Sequence, residues 1–297
     1  MKNFGVAERT VLSFFGSNAS FTFNDKKYKV IDSGKPTCSS GEPKTDIYVL
    51  ANEIGTTNNV ELKISYKKDN ADFLENKISA ERAKQIFGDA WRDIIMASTE
   101  SIKESFKNAY VLYKEKYKRT QKGCITLGWK FEFVNKTGGT LSGKLELTKQ
   151  QLYDVYAGTN ISQDKKDSFV NGKCIKNSGV ANYFLMKNSV SSLQELINNL
   201  IPIDKYIEQH PDIYFACKAL NYRTNEKKYD GDRPLSVQVV WDVVNGKLVH
   251  QIRFDKPLER NGNAIAKILF DCLKEINVEN TDEINSSNCD MKNVYNG

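Results

Sequence analysis

Two short stretches near the N-terminus alternate apolar and polar residues as strands with one buried face do. Between Asn59 and Lys68, polar Glu61, Lys63, Ser65 and Lys67 separate apolar Val60, Leu62, Ile64 and Tyr66. Successive side chains of a strand point to opposite faces, so Glu61 and Lys63 are predicted neighbours on one face. Residues 41–50 predict a second strand, with Asp46 where a turn becomes that strand. Pairing across the turn at 52–59 would bring Asp46 beside this strand.

The same patterns predict the elements around these strands. An amphipathic helix is expected over about 4–15, ended by Gly16, and a hairpin around Asn24-Asp25. Helical spacing begins after Ser79, a plausible N-cap, and extends to about Lys118. A strand is predicted over 124–134, and a turn at 135–139 is expected to bring the chain back as a second strand over 141–147.

The C-terminal half predicts further helices and a second hairpin. Residues 189–209 have helical spacing interrupted by Pro202, and 221–234 form a long polar segment interpreted as a loop. Strands over 235–244 and 247–254 flank Asn245-Gly246, a strong hairpin signal. A last helix covers 264–273, and the polar residues from 275 onward predict a frayed tail.

These elements predict a mixed α/β (α+β) protein, with a central mixed β-sheet flanked by helices and with added hairpins. Residues 1–122 would form the core that carries Asp46, and 123–275 a β-rich region, either separate or part of the same compact domain. Residues 276–297 would be the tail.

The two carboxylates and the ammonium expected on neighbouring strands suit metal-assisted phosphodiester hydrolysis. Mg²⁺ prefers carboxylate and carbonyl oxygens and keeps several waters, so Asp46, Glu61 and the backbone carbonyl of Leu62 are its predicted ligands. The ion would lower the pKa of a bound water. Lys63 would orient that water and neutralise charge growing on the phosphate. The alternative is a solvated strand face, the usual fate of alternating charges.

Pro43-Lys44-Thr45-Asp46 followed by Glu61-Leu62-Lys63 resembles the P-x-x-D and E-x-K halves of the PD-(D/E)XK nuclease superfamily, and within it the type II restriction endonucleases. The match covers about residues 41–68. Acid-x-lysine also occurs elsewhere in the chain, as at Asp164-Lys165-Lys166, but not on an alternating strand that follows a strand opened by an acid.

The resemblance implies a restriction-endonuclease-like core and a Mg²⁺-dependent endonuclease that cuts double-stranded DNA sequence-specifically, leaving 5′-phosphate and 3′-hydroxyl ends. It also implies a homodimer, and it adds Glu8, on the N-terminal helix, as a further metal ligand; an exposed helix glutamate is the alternative. Within the same class, a repair, junction or RNA nuclease is the rival function. Outside it, the rival is a non-catalytic nucleic-acid-binding protein.

Basic and polar residues in two regions are candidate DNA contacts. Near the predicted site these are Lys67, Lys68 and Lys77, which could touch phosphates. In the polar segment they are Asn221, Arg223, Lys227, Lys228 and Arg233, which suit base-edge recognition if a rigid hairpin presents them. The competing interpretation is a surface segment whose acids offset its bases.

Composition narrows these alternatives only slightly. The chain has 297 residues and a formal net charge of +6, which permits a nucleic-acid partner without requiring one. The six cysteines are scattered and there are two histidines, so a zinc site or a histidine-dependent nuclease centre is not expected. We expect reduced thiols and a cytoplasmic protein without a secretion signal or a membrane span.

Overall fold

The structure, a computed structural model, describes residues 4–68, 73–76 and 78–297. The chain forms two compact units, each built from two separate stretches. The first unit comprises Met1–Leu74 and Leu147–Pro211, and the second comprises Glu75–Glu146 and Asp212–Gly297. The boundary expected near residue 122 therefore lies within the second unit, and the residues on both sides of it belong together.

The described helices are short, apart from the last. They are α1 (Phe4–Ser13), α2 (Ala80–Phe87), α3 (Trp91–Glu100), α4 (Lys103–Lys107), α5 (Lys149–Ala157), α6 (Gln163–Lys166), α7 (Leu193–Asn198), α8 (Ile203–Gln209) and α9 (Gly262–Glu275). Single 3₁₀ turns occur at Gly88–Ala90, Thr224–Glu226 and Thr281–Glu283. Within the described ranges, no helix is both long and apolar enough to cross a bilayer.

Along the chain, the strands of the two units alternate in blocks, and they are numbered together here. In order they are β1 (Ser20–Phe23), β2 (Lys26–Gly34), β3 (Ile47–Glu53), β4 (Asn59–Lys67), β5 (Phe73–Glu75), β6 (Leu112–Tyr113), β7 (Cys124–Val134), β8 (Ser142–Leu145), β9 (Phe169–Val170), β10 (Lys173–Cys174), β11 (Tyr183–Met186), β12 (Ile201–Pro202), β13 (Ile213–Arg223), β14 (Lys228–Tyr229), β15 (Val237–Val244), β16 (Lys247–Arg253) and β17 (Val294–Tyr295).

The first unit is organised on a mixed sheet in the order β1-β2-β3-β4-β11-β12. Its neighbours are antiparallel except β4 and β11, which run parallel. The predicted pairing of β3 with β4 is confirmed: Ile47 lies opposite Ile64, and Asn52 opposite Asn59. The mixed α/β class expected from the sequence is therefore confirmed for this unit.

Both faces of this sheet are covered by helices. On one face, Ile47, Val49, Leu62 and Ile64 are fully buried in a core that includes Val11 of α1 and Leu196 of α7. Burying each such side chain contributes about 1.5–3 kcal/mol. On the other face, Phe184 of β11 packs against Tyr156 of α5 and Tyr206 of α8, with ring centroids 5.9 and 4.4 Å away. The rigid middle of the sheet thus holds the β3–β4 hairpin.

The second unit is organised on β7, a long and almost entirely buried strand. The order through it is β14-β13-β7-β15-β16, with β6 also on β7, β17 on β6 and β8 on β13. The predicted hairpin of β15 and β16 is confirmed, and Asn245 and Gly246 both have the positive φ of its tight turn. The predicted final helix corresponds to α9, which buries Ile265, Ala266 and Leu269.

Two expectations for residues 80–147 are wrong. The helical region ends at Lys107, and Leu112–Tyr113 pair with β7 as a strand because Val111 and Leu112 are buried in the sheet. The segment after 141 does not pair with β7, because β13 lies between β7 and β8. The eleven-residue β13 offers β7 a much longer ladder than the four-residue β8 can.

The C-terminal segment is ordered, contrary to the frayed tail expected from its composition. Val294 and Tyr295 pair in parallel with Leu112 and Tyr113. Ile284 and Cys289 are buried, and these few apolar residues anchor an otherwise polar stretch. The six cysteines are free thiols, as expected, and four of them are buried.

Candidate active site

A glycine contact fixes the segment that leads into β3. The backbone N–H groups of Lys44 and Thr45 both donate to the carbonyl of Gly179, at 3.0 and 3.2 Å. Gly179 in turn donates to the carbonyl of Lys166 at 2.9 Å. A Cβ on Gly179 would lie 1.8 Å from the carbonyl oxygen of Lys165, so only glycine fits. This close approach sets the position from which the next residue, Asp46, enters the hairpin.

Asp46 lies at the end of the ladder between β3 and β4. Its backbone N–H donates to the carbonyl of Ile64 at 2.9 Å, and its carboxylate oxygen Oδ2 accepts the backbone N–H of Tyr66 at 2.7 Å. The side chain thus takes the place of a backbone acceptor for β4. A carboxylate held this way has a fixed direction.

The charged groups around Asp46 come from three other elements. Burial raises the pKa of Asp46 to about 6, against the effects of the Lys67 ammonium, the Tyr66 N–H and the Lys35 ammonium. The carboxylate of Glu8 in α1 adds to the rise. Glu8 itself accepts from Lys35 Nζ at 2.7 Å. Two carboxylates and two ammonium groups therefore converge at this end of the hairpin, which we call the Asp46 group (Glu8, Lys35, Asp46 and Lys67).

Glu61 and Lys63 form a second group in the first half of β4, which ends at its middle residue, Lys63. Tyr48 Oη donates to Glu61 Oε1 at 2.6 Å, and Lys63 Nζ lies 4.0 Å from Glu61 Oε2. Burial, together with the bond to Glu61, raises the pKa of the Tyr48 phenol. Asn182 fixes this part of the strand, accepting the backbone N–H of Lys63 at 2.8 Å and donating to the carbonyl of Glu61 at 3.0 Å. We call Tyr48, Glu61 and Lys63 the Glu61 group.

The two groups contact β4 at different positions. The Asp46 carboxylate accepts the Tyr66 N–H, and the Asp46 N–H donates to the carbonyl of Ile64, the residue after Lys63. Glu61 lies three residues before Ile64, or roughly 10 Å along the strand. The charged neighbours of Asp46 are Glu8, Lys35 and Lys67, and the side-chain partners of Glu61 are Tyr48 and Lys63.

That Asp46, Glu61 and the Leu62 carbonyl bind one ion stays a prediction. Leu62 lies opposite Val49 within the ladder. Among the described residues, no group of three or more acidic, histidine or cysteine side chains has the arrangement of a metal site. Glu8 and Asp46 remain as two carboxylates at one end of the hairpin. Lys35 was missed by the sequence analysis, since nothing in the pattern at the end of β2 distinguishes it from other lysines.

Of the three lysines proposed near the site, two are described. Lys67 is the last residue of β4 and Lys68 follows it, both partly buried. Lys77 lies outside the described residues. Lys67 is thus both a candidate DNA contact and a member of the Asp46 group.

The polar segment 221–234 is not the long loop expected from the sequence. Asn221 and Arg223 belong to β13, and a 3₁₀ turn and β14 follow. Arg223 pairs with Asp230 at 2.7 Å and with Glu226 at 3.2 Å, and Lys228 pairs with Glu226 at 3.1 Å. Lys227 lies 3.4 Å from Glu279. The acids of the segment thus neutralise much of its basic charge.

The remaining two candidate contacts in this segment have backbone or structural roles. Asn221 Oδ1 accepts from the Thr126 hydroxyl at 3.0 Å, inside the β7–β13 pair. The Arg233 carbonyl accepts the Gly262 N–H at 3.0 Å, at the start of α9. The role of all five residues in DNA recognition stays a prediction.

Comparison with protein-family models, with curated proteins and with solved structures gave no match to this chain. Its function must therefore be argued from the two charged groups themselves.

Proposed function

We propose that this protein is a Mg²⁺-dependent endonuclease of restriction type that hydrolyses phosphodiesters of double-stranded DNA. The observation that supports this most is the Asp46 carboxylate, held by Tyr66 at the end of a hairpin and flanked by a second carboxylate and two lysines. Carboxylates with a raised pKa among opposite charges are typical of functional sites. The P-x-x-D and E-x-K resemblance places the expected acid at the same residue.

The residues present fit a magnesium ion. Mg²⁺ binds through one or two carboxylates and keeps several waters, so Asp46 and Glu8 suffice as protein ligands. Both have hard oxygen donors, and the net charge of two carboxylates and two ammonium groups is close to zero before a cation binds. When bound, the ion supplies a water of lowered pKa and charge neutralisation at the phosphate.

The chain's own residues supply orientation and positive charge. In the hydrolysis, the water oxygen forms a bond to phosphorus and the bond from phosphorus to the 3′ oxygen breaks. One water proton is lost to solvent, and the leaving 3′ oxygen takes a proton to become the 3′-hydroxyl, while the phosphate stays on the 5′ side. Lysines near Asp46 would stabilise the charge that grows on the phosphate oxygens. The Tyr66 N–H keeps the Asp46 carboxylate aligned throughout.

A plasmid cleavage assay with and without Mg²⁺ tests this function. Discrete fragments that depend on Mg²⁺ are expected from the full chain. Asp46→Asn should reduce cleavage by about 10³-fold or more, because it removes the charge of a proposed ligand. Asp25→Asn, at the exposed β1–β2 turn, is the matched control and should cut like the wild type.

Other outcomes distinguish the rival functions. Smeared products or cleavage restricted to junctions or RNA would indicate a nuclease of another kind built on the same residues. DNA binding with no cleavage at any Mg²⁺ concentration would indicate a binding protein and would overturn the proposal. A homodimer, which restriction enzymes use on palindromic sites, is part of the proposal and is checked by the mass of the chain in solution.

A further inference from the structure

We propose that a tyrosine-rich surface of the second unit binds single-stranded DNA, with unpaired bases stacked on its rings and phosphates held by three exposed cations. The rings, which we call the tyrosine cluster, are those of Tyr110, Tyr113, Tyr117 and Tyr295. The cations, which we call the turn cations, are Lys116, Lys118 and Arg119. The inference goes beyond the proposed function, because it involves neither the Asp46 group nor cleavage. Only the choice of DNA over RNA rests on that function.

The tyrosine cluster joins two segments that are far apart in the chain. The Tyr117 ring centroid lies 5.4 Å from that of Tyr110 and 4.7 Å from that of Tyr295. Tyr113 stacks on Tyr117 at 6.4 Å, with 27° between the ring planes, and is the buried member of the cluster at 9% exposure. Tyr110 is 36% exposed, and Tyr117 and Tyr295 are partly exposed. Three rings that reach solvent are thus supported by a fourth that is buried.

Backbone contacts hold the two segments of the cluster together. Tyr295 pairs with Tyr113 where β17 runs parallel to β6, and its carbonyl accepts the Lys114 N–H at 2.9 Å. The Asn293 side chain donates to two backbone carbonyls of the segment before β6, at 2.8 and 2.9 Å. The C-terminal segment is therefore anchored by its backbone and by Asn293, and this anchoring does not require three exposed tyrosine rings.

A tight turn presents two of the turn cations beside the Tyr117 ring. Tyr117 and Thr120 exchange two backbone hydrogen bonds, of 3.0 and 2.8 Å, and close a turn with Lys118 and Arg119 at its tip. Lys118 has a positive φ of 52° in this turn. The turn fixes the backbone of both cations next to the tyrosine cluster.

The charge of the turn cations is not neutralised by neighbouring acids. All three side chains belong to exposed residues, and across the described part of the chain no carboxylate lies at ion-pair distance from them. Glu115 and Asp282 pair instead with Lys122, at 3.6 and 3.0 Å. Exposed rings beside unpaired cations complement the bases and the phosphates of a nucleic acid strand. The bases of a duplex are stacked on one another, so only unpaired bases can use these rings.

Lys118 occupies a position that a base would take. Its Nζ lies over the Tyr117 ring, 5.0 Å from the centroid. An exposed cation–π contact of this kind is worth about a two- to fivefold change in an equilibrium constant. Stacking of one base on an aromatic side chain is worth about five- to 150-fold. A base therefore displaces the Lys118 ammonium, which is then available to a phosphate of the same strand.

The first test measures binding of a labelled twelve-nucleotide oligo-dT to the full chain by fluorescence anisotropy, in EDTA so that no cleavage occurs. Tyr117→Leu keeps apolar bulk and removes the ring, so it should weaken binding by about tenfold or more. Tyr117→Phe, the matched control, keeps the ring and should bind within about twofold of the wild type. Thermal unfolding checks that each variant is folded.

An abasic strand of the same length tests stacking without any change to the protein. It keeps the phosphates and lacks the bases, so the wild type should bind it about tenfold more weakly than oligo-dT. Tyr117→Leu should bind the abasic strand as the wild type does. The comparison remains decisive even if Tyr117→Leu is unstable.

The second test measures the salt dependence of oligo-dT binding. Replacing all three turn cations by glutamine should lower the slope of log affinity against log salt concentration by about 2, since each phosphate contact on a single strand accounts for about 0.7. The control removes three exposed lysines of the first unit and should change the slope by less than about 0.5. Its substitutions are Lys27→Gln, Lys29→Gln and Lys205→Gln.

The outcomes separate this inference from the proposed function. The inference is overturned if the wild type binds oligo-dT no more tightly than the abasic strand, or if Tyr117→Leu binds oligo-dT like the wild type. Binding of oligo-U about tenfold tighter than oligo-dT overturns the choice of DNA. A failure to cut plasmid DNA with Mg²⁺ overturns the proposed function alone, because these affinities are measured without a metal ion.

Discussion

The part of β4 around Glu61 and Lys63 (the Glu61 end) and the part beside Asp46 (the Asp46 end) have the same types of charged side chain in different surroundings. At the Glu61 end, the carboxylate is 40% exposed and has a phenol and a lysine beside it on the same face. At the Asp46 end, the carboxylate is partly buried in the line of the ladder, and burial raises its pKa to about 6. A shift of that size from 3.8 corresponds to at most about 3 kcal/mol of cost to the ionised form.

The difference shows why spacing along a strand does not identify an active site by itself. An exposed ion pair contributes about 0–1 kcal/mol to the free energy of unfolding, and its surroundings do not make it reactive. A carboxylate kept charged against desolvation stores energy that a bound cation can release. Substitutions that disturb one end of the hairpin at a time test whether this contrast exists in solution.

The largest effect on stability is expected from Gly179→Ala. The new Cβ would meet the Lys165 carbonyl oxygen at 1.8 Å, so the segment that holds Thr45 and Asp46 must move. We expect a loss of about 3 kcal/mol in the free energy of unfolding, seen as a drop of roughly 5–10 °C in Tm, with weakened Mn²⁺ binding.

Gly16→Ala is the matched control for that change. The nearest atom to its added Cβ is the Ser13 carbonyl oxygen at 3.9 Å, so Tm should stay within about 2 °C of the wild type. An unaltered Tm for Gly179→Ala would show that the contact with Lys44 and Thr45 does not hold the Asp46 end in place.

Asp46→Asn should stabilise the protein at pH 8 while abolishing cleavage. The folded-state pKa of Asp46 is raised to about 6 from 3.8, so the folded state binds a proton more tightly than the unfolded chain does. The contribution of this group to the free energy of unfolding is therefore greatest below about pH 4, falls as the pH rises through 6, and is lowest above pH 6. Asparagine resembles the protonated form and keeps an oxygen for the Tyr66 N–H.

The expected gain is about 2 kcal/mol or more at pH 8, shrinking to nearly zero at pH 4. Denaturant unfolding at the two pH values measures it, with Glu61→Gln as the comparison at the exposed end. A destabilised Asp46→Asn at pH 8 would show that Glu8, Lys35 and Lys67 together favour the ionised form, and that burial does not dominate.

Much of the hairpin was predictable because its signals are local. The alternation from Val60 to Tyr66 predicted which face of β4 is buried, and the polar turn at 52–59 predicted that β3 and β4 pair. Both predictions agree with the structure. The position of an acid just before β3 was also read from neighbouring residues alone. The same holds for Asn245-Gly246, because the tight turn needs positive φ at two consecutive residues.

The partners of Asp46 were not predictable in the same way, because they come from distant segments. Glu8 lies on α1, Lys35 follows β2, and Gly179 reaches the site from the second stretch of the unit. The sequence also cannot show that the Asp46 carboxylate accepts the Tyr66 N–H. The insertion of β13 between β7 and β8 was missed for the same reason, since it depends on a strand some 70 residues away.

Tyr48→Phe tests the Glu61 end with a smaller expected effect. The change removes the hydroxyl that donates to Glu61 at 2.6 Å and leaves the ring, whose residue is 1% exposed. We expect a loss of about 1 kcal/mol in the free energy of unfolding, since Glu61 can bond to water instead. Cleavage by this variant should be within about threefold of the wild type. A loss of cleavage as large as that of Asp46→Asn would return the Glu61 group to the catalytic centre.

Lys228→Ala and Lys68→Ala extend the contrast to DNA binding, where the smallest effects are expected. Lys228 is paired with Glu226, and the bases of its segment are largely neutralised by neighbouring acids, so its removal should change affinity less than twofold. Lys68 follows the Asp46 end of β4, and as a phosphate contact it should contribute roughly 0.9 to the slope of log affinity against log salt concentration. Filter binding of a short duplex from 50 to 200 mM salt, without divalent cation, measures both slopes. A reduced slope for Lys228→Ala with an unchanged slope for Lys68→Ala would place the DNA on the second unit's polar segment, and would separate DNA binding from the Asp46 group.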